Sequence, residues 1–511
     1  MKKRLCLVLC LVMLLSLFTA CGDKKTSADN PDEQVTLKWV TTGPGKLEDS
    51  DRVWAEFNKK LQNYLPNTTV EFQMIPSADY AEKWRLMSAA QEPVDIAWVG
   101  FTQNFVEEVG KGSYMDITEL VEKYGQDMLA GFPDWLLDLT TVDGKIYAIP
   151  CYQMMAFPYG FGVPEEHIEK GWIDMKAVEE IYTSGDPITK DDFKIIEDYL
   201  TKVQESGEKV KYVSKTFLDE GLRRKIGIPY MGLEELLCNA AITRDGDEYK
   251  VYDMLTDFPE NDDYYDLINE WHKKGFIRSD ILEKPNENAA DYLLWGEQNF
   301  IGAEDRLLAK TGRKMKVFQS NNWKYVPFNG SSTNTAIAAT SKHPERAMQL
   351  INLMNSEKGA ELMNLLCYGF EGEHYEKVED ESGNRIKWLG EDVIGSSSNK
   401  YGYESWAIGN ALIAYEADTN PVGWNKYCEE EINQKAKISR LAGFTLDTKP
   451  IQLEIAQYNA KMQEYTHLYY GANDNYKELL KERNEELKKA GSDKIVAEVQ
   501  RQIDEWLKNN K

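Results

Sequence analysis

Between Val35 and Val99 the apolar residues switch repeatedly between a period of two and a helical period, and this alternation restricts the fold more than any other stretch. Val35, Leu37 and Trp39 alternate with Thr36 and Lys38, as a half-buried strand requires. Val53, Trp54, Phe57 and Leu61 then fall on one face of a helix that Ser50 can cap. Val70, Phe72 and Met74 return to period two, a polar helix is predicted over 79–91, and Val94–Val99 is an apolar run suited to a strand covered on both faces. Strands and helices alternating through short connections predict a doubly wound α/β sheet with parallel strands. Its ligand crevice is expected outside the carboxyl ends of those strands.

The rest of the chain is less regular. Gly144-Lys145-Ile146-Tyr147-Ala148-Ile149-Pro150 reads as a turn feeding a strand, followed by an aromatic and Met-rich segment over 152–161. Helices are predicted around 191–206, 232–241 and 262–274, strands at 300–302 and 323–328, and a helix over 343–366 that aligns Ala347, Leu350, Ile351 and Met354. A final charged helix begins at Gly491-Ser492-Asp493 and aligns Ile495, Val499, Ile503, Trp506 and Leu507.

The amino terminus obeys other rules. Lys2, Lys3 and Arg4 precede an apolar run from Leu5 to Phe18, then Thr19-Ala20-Cys21, which is the pattern of an export signal over 1–20. Cysteine directly after the cut makes Cys21 the candidate lipid-attachment residue, although Phe18 stands where such signals usually carry Leu. Residues 21–34 have the composition of a disordered tether. Loss of residues 1–20, with three basic and no acidic side chains, takes the net charge from −25 to −28. So acidic a body argues against nucleic acid and against direct docking on anionic lipid. Cys151, Cys238, Cys367 and Cys428 are widely spaced and form no CxxC pair, so they are read as buried thiols with at most one bridge among them.

Several motifs, taken in order, resemble a known family. The cysteine-terminated signal, the strand leading into Gly43-Pro44-Gly45, Pro93-Val94-Asp95-Ile96-Ala97-Trp98 and the 144–150 turn together resemble the family 1 extracellular solute-binding proteins of ABC importers, similar to maltose-binding protein. Ala339-Thr340-Ser341-Lys342-His343-Pro344-Glu345-Arg346-Ala347-Met348, Tyr368-Gly369-Phe370-Glu371-Gly372, Trp406-Ala407-Ile408-Gly409-Asn410 and the tail from Gly443-Phe444 to Trp506 resemble a Gram-positive lipoprotein subclass with a C-terminal domain of uncharacterised role. The resemblance implies a two-lobed, type II periplasmic-binding-protein-like fold, each lobe a doubly wound sheet, with extra C-terminal helices. It places crossovers near Tyr147–Pro150 and between Ala289 and Trp295. The expected division is a first lobe over 35–148, a second over 149–290, a return to the first over 291–342 and completion of the second over 343–511. The implied role is capture of an oligosaccharide for ABC permease subunits, by a monomer lipid-anchored on the outer face of the cell membrane and needing neither cofactor nor metal.

A sugar cleft needs aromatic faces beside planar polar groups. Trp98, Phe101 and Thr102 follow the third strand, and Thr42, Gly43 and Lys46 follow the first, so both groups are candidates at strand ends. The family's cleft-lining segment corresponds to Tyr152 and Gln153 here. Trp295 and Trp406 are candidate stacking platforms and Glu371 a candidate hydroxyl partner. No basic cluster sits at these strand ends, which favours a neutral ligand, with Lys46 the exception. Five scattered His residues give no metal-ligand pairing, and no nucleophile elbow, P-loop or dinucleotide fingerprint occurs. The alternatives are a surface glycoside hydrolase with paired carboxylates, which 85 acidic residues leave open, and a peptide-binding or sensory lipoprotein. Asp245-Gly246-Asp247-Glu248 is read as a solvated turn. Trp98 and Trp406, as site residues, are expected to be replaceable without loss of stability.

Overall fold

The computed structural model describes residues 30–183, 189–218, 233–258, 261–284, 288–319, 325–328, 333–379 and 383–510. The export signal, Cys21 and the tether as far as residue 29 lie outside the described residues. Among those described, no helix is long and apolar enough to cross a membrane.

The predicted alternation is realised as β1 (Val35–Gly43), α1 (Ser50–Leu61), β2 (Thr68–Pro76), α2 (Ser77–Ala89) and β3 (Ile96–Gly100). β1 pairs in parallel with β2 from Val35↔Thr68 to Gly43↔Pro76, and with β3 on its other side. The Thr333–Ile337 strand then joins antiparallel to β3 and also pairs with Ile149–Pro150, completing five strands. Helices cover both faces, which is why β1 becomes continuously buried from Trp39 to Thr42. α1 packs Phe57 and Leu61 with Trp39 and Phe72 on one face, while α2 packs Tyr80 and Trp84 with Val40 and Trp98 on the other. Ser50 is the first residue of α1 and not its cap. Its hydroxyl accepts from the Leu47 amide at 2.9 Å and meets the Tyr403 hydroxyl at 2.9 Å.

A second sheet of four strands orders Met315–Gln319, Tyr159–Pro164, Tyr292–Gln298 and Tyr212–Val213. Its core stacks Phe161 against Phe318 and Phe217, with centroids 3.9 and 4.7 Å apart. The backbones run so close here that a Cβ on Gly160 would lie 2.2 Å from the Phe318 carbonyl oxygen, a contact only glycine avoids.

Three expectations are corrected. The 291–319 stretch, expected to return to the first lobe, supplies two strands of the second sheet, so Ala289–Trp295 is no crossover. The return comes with Thr333–Ile337 alone. Conversely the Pro344–Met354 and Ala360–Tyr368 helices, expected in the second lobe, bury Leu350, Ile351, Met354, Leu362 and Leu366 in the same core as α1. Their apolar faces fit the surface left beside α1, and the buried Arg346 guanidinium binds Thr68 and the carbonyl oxygens of Asn30 and Pro66 at the entrance to β2. The helix predicted over 232–241 is, from residue 233, a hairpin of Leu233–Leu237 and Ala240–Thr243 turning at Cys238, whose φ is 56°. Leu-Glu-Glu-Leu-Leu favours a helix locally, but strand pairing and a tertiary demand on Glu234 override it.

That demand arises where the chain crosses between sheets. The chain leaves the first sheet after Pro150; Tyr325–Val326 is the passage that precedes its return at Thr333, and Lys437–Ile438 the passage that precedes the C-terminal helices. The last two passages pair side by side in parallel, extended by the Ser439 amide donating to the Val326 carbonyl at 2.9 Å. Glu234, 3% exposed, accepts from the Tyr325 hydroxyl, the Phe328 amide and the Ser439 hydroxyl at 2.5, 2.7 and 2.6 Å. Beyond it, the Ser492–Asn510 helix lays Ile495, Val499 and Ile503 on Ile242 and Leu441. Cys151, Cys238, Cys367 and Cys428 are all free thiols, and the 245–248 turn is exposed as expected.

Removing the Glu234 carboxylate strands three donors in a dry site. Glu234→Ala is expected to destabilise the protein by about 3 kcal/mol, read as a lowered urea midpoint. A midpoint unchanged from the parent would show that the three donors find other partners.

Candidate functional site

The carboxyl ends of β1, β2 and β3, together with Pro150 and the start of Thr333–Ile337, form one edge of the first sheet. The 3₁₀ turn Ser405–Ala407 is pinned across this edge. Thr41 donates to the Ala407 carbonyl at 3.2 Å and Thr333 to the Trp406 carbonyl at 3.0 Å, while the Gln153 amide donates to the Thr333 hydroxyl at 3.0 Å.

Three aromatic rings sit on this platform in series. Trp98 is fully buried, held edge-on by Tyr80 with centroids 4.9 Å apart. Phe101, just past the end of β3, is 61% exposed, with its ring 5.5 Å from Trp98 and 6.0 Å from the half-buried Trp406. Propped by two indoles, this ring presents an apolar face at the sheet edge. Beside it the Thr102 hydroxyl and both polar atoms of the Gln103 amide are shielded from solvent without a hydrogen bond of normal geometry. The Gln103 amide lies beside the buried Tyr114 hydroxyl, which interacts with it.

Phe101 and Gln103 open onto a cavity of about 470 Å³. Asp138 and Asn334 flank it on the side of the first sheet, and Leu236, Phe328 and Phe444 close it from the hairpin and the C-terminal helices. Two acids near the edge are perturbed. Asp138 is exposed, yet partial desolvation by the surrounding chain pushes its carboxyl above its ordinary value. Glu404 keeps contact with water, yet the surrounding chain pushes its carboxyl upward against a hydrogen bond from Trp406.

Of the residues proposed from sequence, Trp98, Phe101, Thr102, Gln153 and Trp406 are brought together. The others are not. Thr42 is buried against the Ser77 hydroxyl at 2.8 Å, and the Gly43 backbone closes on the Tyr403 ring. Lys46 pairs with Asp51 at 2.8 Å beside a groove lined by Trp54 and Phe72, and Glu371 pairs with Lys377 at 3.4 Å in a separate groove with Lys60. Tyr152 is buried against Phe132, and Trp295 lies in the second sheet with its ring 6.1 Å from Tyr292. Gln103, Asp138, Glu404, Phe328 and Phe444 were missed. Only Gln103 and Glu404 had a local signal, being close in sequence to Phe101 and Trp406.

Among the described residues, one group could hold a cation: ligand atoms of Glu166, His167 and Glu208 lie within 4.8 Å of one another. Lys170 already stands 3.2 Å from Glu208 and 3.8 Å from Glu166, and burial lowers the His167 pKa. The cluster is complete as an ion-pair network.

Against known proteins the whole architecture finds counterparts. An N-glycan transport solute-binding protein, NgtS, of Streptococcus pneumoniae superposes with a TM-score of 0.74 at 23% identity, over 93% of this chain and all of its own. The fold is that of the two-lobed extracellular solute-binding proteins. NgtS in complex with Man1GlcNAc gives 0.64 at 24% identity, over 93% of this chain and 99% of that one. In sequence, a carbohydrate ABC transporter substrate-binding protein of the same organism is 27% identical over 511 residues, 98% of this chain and 97% of its own length. Residues 440–508 match a family model described as a domain of unknown function, DUF3502, which begins two residues after the last passage between the sheets. In this solute-binding fold the strand-end edge therefore faces the C-terminal unit across the cavity.

Because Trp98 is core and Phe101 is surface, the two respond differently to truncation. Trp98→Ala is expected to cost about 3–5 kcal/mol and Phe101→Ala less than about 0.5 kcal/mol in urea unfolding of the unliganded protein. This corrects the expectation that Trp98 is dispensable for stability. Glu404 gives a pH test. A carboxyl held above its unfolded-state value contributes stability below that value and loses it as the pH rises through the folded pKa. Glu404→Gln is expected to melt higher than the parent at neutral pH, with the gap closing as the pH falls toward the ordinary glutamate value of about 4.3. A gap independent of pH would remove the titration from the account.

Proposed function

We propose that the mature chain is a lipid-anchored receptor on the outer face of the cell membrane, one that captures a neutral oligosaccharide between its lobes for an ABC permease. The observation that carries this is the exposed Phe101 ring, propped on Trp98 and Trp406 at the strand-end edge and flanked by the Gln103 side chain on the cavity wall. An aromatic face stacks on the C–H surface of a sugar ring while planar amides and carboxyls bind its hydroxyls. None of the described residues lining the cavity is Lys or Arg, which supports a neutral ligand over an anionic one. The carbohydrate-specific relatives and the glycan held by NgtS point the same way.

The mechanism is a population shift. A ligand that touches both lobes only when they close stabilises the closed form, and the permease recognises that form. The paired passages at Tyr325–Val326 and Lys437–Ile438 are the hinge. The lower TM-score with the Man1GlcNAc complex, at nearly the same identity and coverage, supports more than one lobe arrangement within this fold. The protein binds its sugar unchanged and acts as a monomer, and Cys21 carries the lipid.

Thermal unfolding of the chain begun after Cys21, against neutral and acidic oligosaccharides with short peptides as controls, tests the reading. The expected outcome is a rise in melting temperature confined to one neutral glycan class, because ligand bound only to the folded state stabilises it. New reducing ends on prolonged incubation would replace receptor by hydrolase. Stabilisation by peptides alone would replace the sugar.

A further inference from the structure

The C-terminal unit of residues 440–508 has no assigned role, yet it reaches the cavity. Phe444, Thr445, Leu446 and Thr448 line it opposite Phe101 and Gln103. We infer that this unit is the second wall of the ligand cleft, and that the turn over 444–448 sets which oligosaccharides fit at the end of the site next to the hinge. The inference rests on the receptor reading above and deepens it by naming the residues that select the ligand.

Three observations carry it. The turn is rigidly held. Phe444 lies between Phe328 and Trp506, each with ring centroids 5.9 Å away, and Gln502 of the last helix both accepts from the Asp447 amide and donates to its carbonyl at 2.8 Å. A wall that discriminates between ligands must be fixed by its own supports, and these supports belong to the last helix of the same unit.

The wall is also chemically suited to the opposite face. Phe444 and Leu446 are buried from their back, and the half-buried Thr445 and Thr448 add hydroxyls to the cavity margin. Facing them are an exposed aromatic ring, the Asp138 carboxyl and the side chains of Gln103 and Asn334. A sugar ring between the two walls would meet an apolar surface on both sides and polar groups at its rim, as a saccharide requires.

Finally, the wall is continuous with the hinge. Ser439 bonds to Glu234 and accepts from the Leu441 amide at 3.0 Å, three residues before Phe444, while Phe328, another lining residue, is tied to the same carboxylate. Motion of the Lys437–Ile438 passage therefore carries the wall with it, so that it advances on the ligand when the lobes close.

The test is calorimetric titration of the parent and of two bulk-adding variants, Thr445→Trp and Thr448→Trp, with a chain-length series of the glycan class that stabilises the parent. Both positions are half-buried, and the unliganded melting curve of each variant reports whether it folds. The expected result is parent-like melting with affinity for the longest member reduced tenfold or more, about 1.4 kcal/mol, and a smaller loss for the shortest. Parent-like affinity across the series in both folded variants would overturn the wall while leaving the receptor standing. A parent that binds no glycan would overturn both.

Discussion

The architecture depends on one buried carboxylate. Glu234 accepts hydrogen bonds from both chain passages that lie side by side between the sheets, and it does so from a hairpin that packs on the C-terminal helices. A charge in a dry site is stable only when its lone pairs are filled, so each donor must arrive at the correct place for the others to be tolerated. Hairpin, paired passages and C-terminal unit are thereby registered to one another at a point, while the sheets on either side keep separate cores.

How much of this could be read from the sequence divides along a physical line. The alternation from Val35 to Val99 and the apolar stripe of the last helix are local signals, and both appear as expected. What failed were questions of long-range choice. Tyr292–Gln298 has a strand's composition, but nothing local says whether it pairs with Tyr159–Pro164 or with β3. The residues over 233–241 carry strong helix formers, and only the placement of Glu234 beneath Tyr325 and Ser439, residues far along the chain, makes the hairpin the better solution.

The site shows the same division at the scale of single residues. Trp98 and Phe101 are three positions apart and were equally plausible platforms. The strand's alternation turns Trp98 toward Tyr80 and α2, whereas Phe101 lies beyond the last ladder residue, Gly100, and is freed into solvent. Lys46 and Glu371 sit at suggestive points in the sequence, but each is satisfied by a neighbouring charge on the outer surface. Phe328 and Phe444 become visible only when the chain folds back over the sheet edge, so no spacing rule could have selected them.

The placement of Thr333–Ile337 has a consequence for how the molecule is made. This strand lies between β3 and Ile149–Pro150, and its Asn334 amide bonds to the Val99 carbonyl across 235 residues of chain. The first sheet therefore lacks the strand that joins Ile149–Pro150 to β3 until more than half of the polypeptide has been synthesised, and its helical cover from Pro344 to Tyr368 arrives later still. Contacts closed over such distances form slowly, because the intervening loop must be ordered before they repay it. A chain that emerges amino terminus first can pair β1, β2 and β3 early but cannot complete their core until residues 333–368 have followed, so a late step of folding is written into its topology.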